Sequence, residues 1–357
     1  MASVDCFSSQ IEHIYSKSAK SKPSGNPVLK ISFITLSIAV ALGVSYIAPP
    51  PAKICGTLHG PAVTTSRLRF PDGRPVAYAE RGVSKNDAKH KVVVVHEYGG
   101  TRLDLFPCNE EKLEELGVYM VSFDRAGYGE SHPFPHRSIA SEVQDMEHLA
   151  DALELGPKFY VIAIGVGAYA GWGCIQYIPN RIAGLAMISP VANFWWPGLA
   201  ATSQGLEALE AADRYTLQVA HYAPRFLYHY TRQKWFPSSN MEKLSQVCNI
   251  KRATHGLELA IQQGIHESIH RDLMIQFGSW EFDPAALHNP FVGDAVHVWQ
   301  SSEDPFFPSS WKARLKIKLP WVQYHTIPGK ARDSWLQVAG LPEKMLVSLL
   351  PGNQTHA

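Results

Sequence analysis

Four short runs of apolar residues, rich in Val and Ile, constrain the fold of this chain more than any other feature. They are "KVVVV" at 91–95, "VYMVSF" at 118–123, "FYVIAI" at 159–164 and "IAGLAMIS" at 182–189. Continuous apolar runs of this length are typical of parallel strands that are buried on both faces. Stretches with helical spacing lie between them, such as Ile139, Val143 and Met146. The alternation predicts an α/β fold, with a mostly parallel sheet covered by helices on both faces.

The alternation stops after the fourth run and returns near the C-terminal end of the chain. The segment 193–285 is rich in aromatic residues and has helical spacing without a buried-strand run. Strand-like runs reappear as "AVHVWQ" and "WVQYHTI". We therefore expect a core in two parts, 66–192 and 286–350, with an inserted helical cap at 193–285 and a tail at 351–357.

An uncharged apolar segment lies near the N-terminus. The segment 31–48, "ISFITLSIAVALGVSYIA", holds 18 residues between Lys30 and three prolines, which meets the lower length limit for a transmembrane helix. Lysines are concentrated before it, so the segment 1–30 is expected to be cytosolic. We predict an N-terminal transmembrane helix at 31–48, a linker at 49–65, and a single-pass protein of the endoplasmic reticulum or secretory pathway. A cleaved signal peptide is the alternative, but its charged lead-in would be unusually long and no clear cleavage site follows.

Composition excludes several classes of partner. Lys and Arg number 33 against 32 Asp and Glu, so nothing favours nucleic acid or another strongly charged partner. The five cysteines are far apart and form no CxxC pair, which indicates neither a metal site nor a disulfide framework. We expect no metal and no cofactor, and the sequence names no protein partner.

The motifs of the chain resemble those of one large superfamily. The segments that carry the resemblance are "FDRAGYGES", "LGPKFYVI", "QKWFPSS", "HRDLM", "WEFDP" and "PPPAKICG". They are similar to α/β-hydrolases, and more closely to a plant group of membrane-anchored α/β-hydrolase-like proteins, from about residue 49 onward. The resemblance implies an α/β-hydrolase fold. It also implies an oxyanion loop at 96–100, a nucleophile elbow at 165–167, an acid loop at 301–308 and a histidine loop at 328–332.

The catalytic triad that the resemblance implies is incomplete. Asp304 stands at the position of the acid, but Gly165 stands where the elbow carries Ser, and Arg332 stands where the last loop carries His. A guanidinium stays protonated and cannot act as a general base. The usual His-Gly of the oxyanion loop reads His96-Glu97. A triad that loses its nucleophile or its base loses about six orders of magnitude in rate.

Two functions remain open. The first is a catalytically degenerate protein on a hydrolase scaffold, which binds a small molecule or another protein. The alternative is a non-hydrolytic enzyme of plant specialised metabolism, with proton-transfer, cyclisation or elimination chemistry and Glu97 as a possible general base. An Arg332–Asp304 pair would be either structural or an anchor for an anionic ligand.

The aromatic cap suits an apolar small molecule. The resemblance implies that the ligand contacts the oxyanion loop and the elbow, at His96, Tyr98, Gly99 and Val166.

Overall fold

The computed structural model describes residues 46–198, 204–233, 256–291, 293–329 and 332–350, with Ser32, 35–37 and Gly43. The chain divides into two compact units, 1–48 and 49–357. The expected segments 1–30 and 351–357, and most of the expected anchor at 31–48, lie outside the described residues.

Within the part of the chain that the structure describes, none of the helices combines the length and the apolar character needed to cross a bilayer.

One sheet of eight strands forms the centre of the unit 49–357. The strands are β1 (Arg67–Arg69), β2 (Pro75–Gly82), β3 (His90–Val95), β4 (Val118–Phe123), β5 (Phe159–Ile164), β6 (Ile182–Ile188), β7 (Val296–Ser301) and β8 (Gln323–Ile327). Their order in the sheet is β1-β2-β4-β3-β5-β6-β7-β8. β2 is antiparallel to both of its neighbours, and all pairs from β4 to β8 are parallel.

The described helices belong either to the core or to the cap. Those of the core are α1 (Glu110–Leu116), α2 (Ile139–Ala152), α3 (Ala168–Tyr177), α9 (Ser309–Lys318) and α10 (Leu341–Leu349). Those between β6 and β7 are α4 (Gln204–Glu207), α5 (Ala211–Tyr222), α6 (Leu227–Thr231), α7 (Leu257–Ala260) and α8 (Arg271–Phe277). The rest of the expected cap, 199–203 and 234–255, lies outside the described residues.

The sheet buries both of its faces because alternate side chains of each strand point in opposite directions. Val93 and Val95 belong to the cluster that contains α2, α3 and α9, and Val92 and Val94 belong to the cluster that contains α1 and α10. A strand in this position needs apolar residues without interruption, which explains the run "KVVVV". The predicted mostly parallel sheet with helices on both faces is therefore confirmed.

The segment 49–65, expected as a linker, packs on the body of the protein after its prolines. The backbone N–H of Lys53 donates to the carbonyl of Gln263 at 2.8 Å, and that of Cys55 donates to the Gln263 side chain at 3.0 Å. Further along, Thr64 donates to the buried carboxylate of Glu130. The segment therefore belongs to the unit 49–357, and it is not a free spacer.

A buried ionic cluster joins the core to the cap. Arg125, from the "FDRAGYGES" loop, donates both terminal N–H groups to Asp272 of α8 at 2.7 and 2.6 Å. Arg137 donates to the same carboxylate at 2.5 Å and pairs with Glu142. These four side chains are at most 1% exposed. Burial alone would raise the pKa of Asp272, but the two guanidinium groups lower it to about 2.

We predict that Asp272→Asn destabilises the protein by about 3–5 kcal/mol, because it leaves two buried guanidinium groups with one carboxylate. Urea unfolding of the variant measures the change in the free energy of unfolding. The matched control is Asp151→Asn, which breaks an exposed pair with Arg181 at 2.6 Å and should cost less than about 1 kcal/mol. Equal losses in both variants would contradict the role given to the buried cluster.

Candidate active site

The turn after β5 has the backbone of a nucleophile elbow. β5 ends at Ile164, Gly165–Gly167 form one short helical turn, and α3 begins at Ala168. Gly165 has a φ of +58°, in the left-handed region that side chains rarely adopt. A nucleophilic Ser at an elbow accepts the same strain. Gly165 therefore has the left-handed backbone expected at an elbow, and it has no side chain.

The space that a side chain at position 165 would occupy is filled by Glu97. A Cβ built on Gly165 would lie 2.8 Å from Glu97 Oε2, 2.9 Å from Glu97 Cβ and 3.7 Å from Arg332 Nη2. Real Cβ atoms do not approach other atoms so closely, and Glu97 Cβ is fixed by its own backbone. The oxyanion loop and the histidine loop therefore place a carboxylate and a guanidinium at the corner where a hydrolase has Ser and His.

Arg332 is held by the ends of two neighbouring strands. Its Nη1 lies 3.5 Å from Asp304 Oδ2, and its Nη2 donates to the carbonyl of Ser189 at 2.6 Å. Ser189 Oγ donates in return to the carbonyl of Arg332 at 2.7 Å. Asp304 is buried and also accepts from Gln300 Nε2 at 2.6 Å and from the N–H of Phe306 at 2.8 Å. The Asp304 carboxylate therefore faces the guanidinium of Arg332, which also lies beside Gly165.

Two residues of this arrangement, Ser189 and Gln300, are not among those predicted from the sequence. Ser189 ends the run "IAGLAMIS" and has a φ of +48°, and Gln300 lies inside the run "AVHVWQ". A polar residue at the end of a buried strand is a signal that a site lies there, because the loops at the carboxyl ends of the strands meet at one edge.

His96 is fully buried and holds the oxyanion loop in place. Its Nδ1 lies 2.8 Å from the carbonyl of Glu97, and its Nε2 accepts from the backbone N–H of Arg125 at 3.2 Å. This pattern fits a neutral imidazole that donates through Nδ1. Burial, followed by the charge of Arg125, keeps the pKa of His96 well below its usual range. His96 therefore acts as a structural link between two loops.

The other expected ligand contacts are also buried. Tyr98, Gly99 and Val166 lie inside the protein. The four expected contacts line neither the cavity beside α2 nor the open groove on α5.

Two further histidines lie among packed side chains. His270 contacts Thr231 at 3.3 Å within the cap, and His325 stacks on Trp299 with ring centres 3.9 Å apart. Across the described ranges there is no group of three or more His, Cys, Asp or Glu side chains arranged to hold a metal ion.

Solved structures similar to this one share its fold at low sequence identity. A hydrolase from Pseudomonas aeruginosa PA01 is 16% identical and superposes with a TM-score of 0.51, covering 81% of this chain and 99% of its own. The enol-lactonase from Burkholderia xenovorans LB400 is 14% identical with a TM-score of 0.53, covering 79% and 99%. An α/β-hydrolase fold protein from Chitinophaga pinensis is 16% identical with a TM-score of 0.51, covering 80% and 96%.

The chain therefore has the α/β-hydrolase fold that its motifs imply. No protein-family model matches the sequence. No curated protein matches it either. At these identities the structural likeness establishes the fold alone, so the chemistry of the site is judged from its own residues.

We predict that the protein loses stability as the pH falls below about 6.5, because His270 is buried and neutral. Burial lowers the pKa of His270 to about 3, so the unfolded chain takes up a proton that the folded protein does not. Each pH unit of acidification between these two pKa values then lowers the free energy of unfolding by about 1.4 kcal/mol. Urea unfolding at about pH 7 and about pH 5 should show that the free energy of unfolding falls less in His270→Gln than in the wild type. The control is His59→Gln, which alters an exposed histidine. The role of His270 would be contradicted if His270→Gln lost as much free energy of unfolding as the wild type, or if His59→Gln reduced that loss equally.

Proposed function

We propose that this protein is a non-hydrolytic member of the α/β-hydrolase-like proteins, anchored in a membrane through 31–48, which binds an apolar small molecule. One observation carries the proposal: the carboxylate of Glu97 occupies the space of the missing nucleophile, within 3 Å of where a Cβ of residue 165 would lie. The resemblance to the plant membrane-anchored group agrees with this reading.

The remaining side chains of the site cannot carry out acyl transfer. Serine hydrolysis needs a nucleophile at the elbow and a base that accepts its proton. Gly165 offers no oxygen, and Arg332 is a permanent cation held by Asp304 and Ser189. The Glu97 carboxylate also adds negative charge where an oxyanion would develop, which opposes the transition state.

A cavity of about 210 Å³ between the core and the cap supports a binding role. It lies beside the first turn of α2 and the end of α8. Its apolar lining consists of Ile139, Ala140, Tyr177, Met274, Ile275 and Trp280. Arg137, Ser138, Ser279 and Glu281 add polar and charged groups at its wall. Small-molecule sites usually combine apolar walls with a few polar groups, and a cavity of this size would hold only a small ligand.

A non-hydrolytic enzyme is the second candidate, and the position of Glu97 is what favours it. A half-buried carboxylate at the elbow, beside a guanidinium, is placed as a general base would be. Incubation of the protein with a complex metabolite extract, followed by mass spectrometry, separates the two functions. Turnover that is lost in Glu97→Gln supports the enzyme, and retention of a compound without turnover supports the binding protein.

We predict that Gly165→Ser combined with Arg332→His does not react with a fluorophosphonate probe, because the new Cβ meets Glu97. Adding Glu97→Gly removes the close contacts of the new Cβ with Glu97 Oε2 and Glu97 Cβ, and should create a reactive serine. Labelling of the two variants, detected by in-gel fluorescence, measures the difference.

Two controls accompany this comparison, the wild-type chain and a triple variant that carries Gly165→Ala instead of Gly165→Ser. Neither should be labelled, because neither has a hydroxyl at the elbow. Labelling of the wild type, or equal labelling of the double and triple serine variants, would show that Glu97 does not block the elbow.

We predict that the cavity beside α2 binds 2-naphthol, and that Met274→Trp weakens the binding by at least about tenfold because the larger ring fills the cavity. Fluorescence titration measures the affinity. The matched control is Val219→Trp, which places the same side chain on α5 outside this cavity. Equal affinities in the wild type and Met274→Trp would contradict a ligand site at this position.

A further inference from the structure

The cavity beside α2 lies at the N-terminus of that helix. Ser138, Ile139 and Ala140 line it, and they are the N-cap and the first two residues of α2, a helix of 14 residues. The first N–H groups of a helix have no acceptor inside the helix. The Ser138 side chain accepts from the N–H of Ser141. The N–H groups of Ile139 and Ala140 therefore have no acceptor among the described residues.

Arg137 precedes the N-cap and also lines the cavity. Its side chain is 1% exposed, its Nε pairs with Glu142, and its Nη2 donates to Tyr169 and Asp272. The remaining nitrogen, Nη1, is buried and has no hydrogen-bond partner within the described ranges. A buried N–H group without an acceptor costs free energy, because it has lost its bonds to water. An acceptor atom of a ligand would remove that cost.

The charges near these donors are balanced. Two cations, Arg125 and Arg137, are paired with two carboxylates, Asp272 and Glu142. Glu142 also lies in the first turn of α2, where it offsets the positive end of the helix dipole. Among the described residues of the wall, the other charged one is Glu281, which is exposed. The wall therefore offers donors without an excess of positive charge, which favours an uncharged acceptor over an anion.

The rest of the wall is suited to an apolar body. Met274, Ile275 and Trp280 line it, and the indole N–H of Trp280 donates to the carbonyl of Ile275 at 2.9 Å. The Trp280 ring therefore offers the cavity an apolar surface and no free donor. The volume of about 210 Å³ limits the ligand to a compact molecule.

We propose that the cavity beside α2 binds a compact, uncharged apolar molecule through a carbonyl oxygen, which accepts from the first N–H groups of α2 and from Arg137 Nη1. A carbonyl oxygen has two lone pairs and no proton, so it matches a wall of donors. This inference rests on the proposed binding function and deepens it, because it names the chemical group that is recognised.

Three probes of similar size test the proposal on the full chain: indane, 1-indanone and indane-1-carboxylate. Ligand-observed NMR titration measures their affinities. We expect 1-indanone to bind at least about threefold more tightly than indane, which is the usual gain from a net hydrogen bond. The carboxylate should bind no more tightly than indane, because the charges of the wall are already balanced. Met274→Trp should weaken all three, because it fills the cavity.

Ala140→Pro removes one of the proposed donors. It breaks no hydrogen bond inside the helix, because residue 140 lies in the first turn of α2. The preference for 1-indanone over indane should fall by at least about threefold, while indane still binds. The matched control is Ala212→Pro, which makes the same change at the second residue of α5, outside the cavity, and should keep the preference.

The outcomes separate this inference from the proposed function. Equal affinities of the wild type for 1-indanone and indane, or an unchanged preference in Ala140→Pro, would overturn the carbonyl site and leave an apolar binding site. Tightest binding of the carboxylate would assign the donors to an anion and would also overturn it. Binding of none of the three probes, or equal binding in Met274→Trp, would overturn the ligand site itself and this inference with it.

Discussion

The ion pair between Arg332 and Asp304 is the interaction on which the character of this site depends. Asp304 is buried and surrounded by donors from Gln300 and Phe306, so its carboxylate needs a cation or a neutral donor opposite it. In a hydrolase that partner is an imidazole, which can also move protons. Here it is a guanidinium, which balances the charge and holds two loops together through Ser189.

Glu97 lies beside Gly165 as well. Gly165 leaves room beside Arg332, and the Glu97 carboxylate fills it. A serine side chain would not fit there unless Glu97 were removed, because its Cβ would lie too close to Glu97. A side chain at position 165 and the Glu97 carboxylate therefore exclude each other. His96 links the loop at 96–100 to Arg125, and Arg125 joins the core to Asp272 of the cap.

Much of this organisation could be predicted from local patterns. The runs at 91–95, 118–123 and 159–164 lie in β3, β4 and β5 because buried parallel strands require continuous apolar residues. The glycine at the elbow and the acid after β7 could be placed because each follows a recognisable strand. The features that could not be predicted depend on distances between segments far apart in the chain. The approach of Glu97 to Gly165, the contact of Ser189 with Arg332 and the docking of Lys53 on Gln263 are all of this kind.

The central claim is that the elbow supports no covalent acyl chemistry, and intact-protein mass spectrometry tests it most directly. The wild-type chain is exposed to p-nitrophenyl butyrate and its mass is measured at short times. We expect an unchanged mass and no release of p-nitrophenolate beyond that caused by the protein after heat denaturation. An acyl adduct that disappears in Glu97→Gln would show that the carboxylate acts as a nucleophile, and would contradict it.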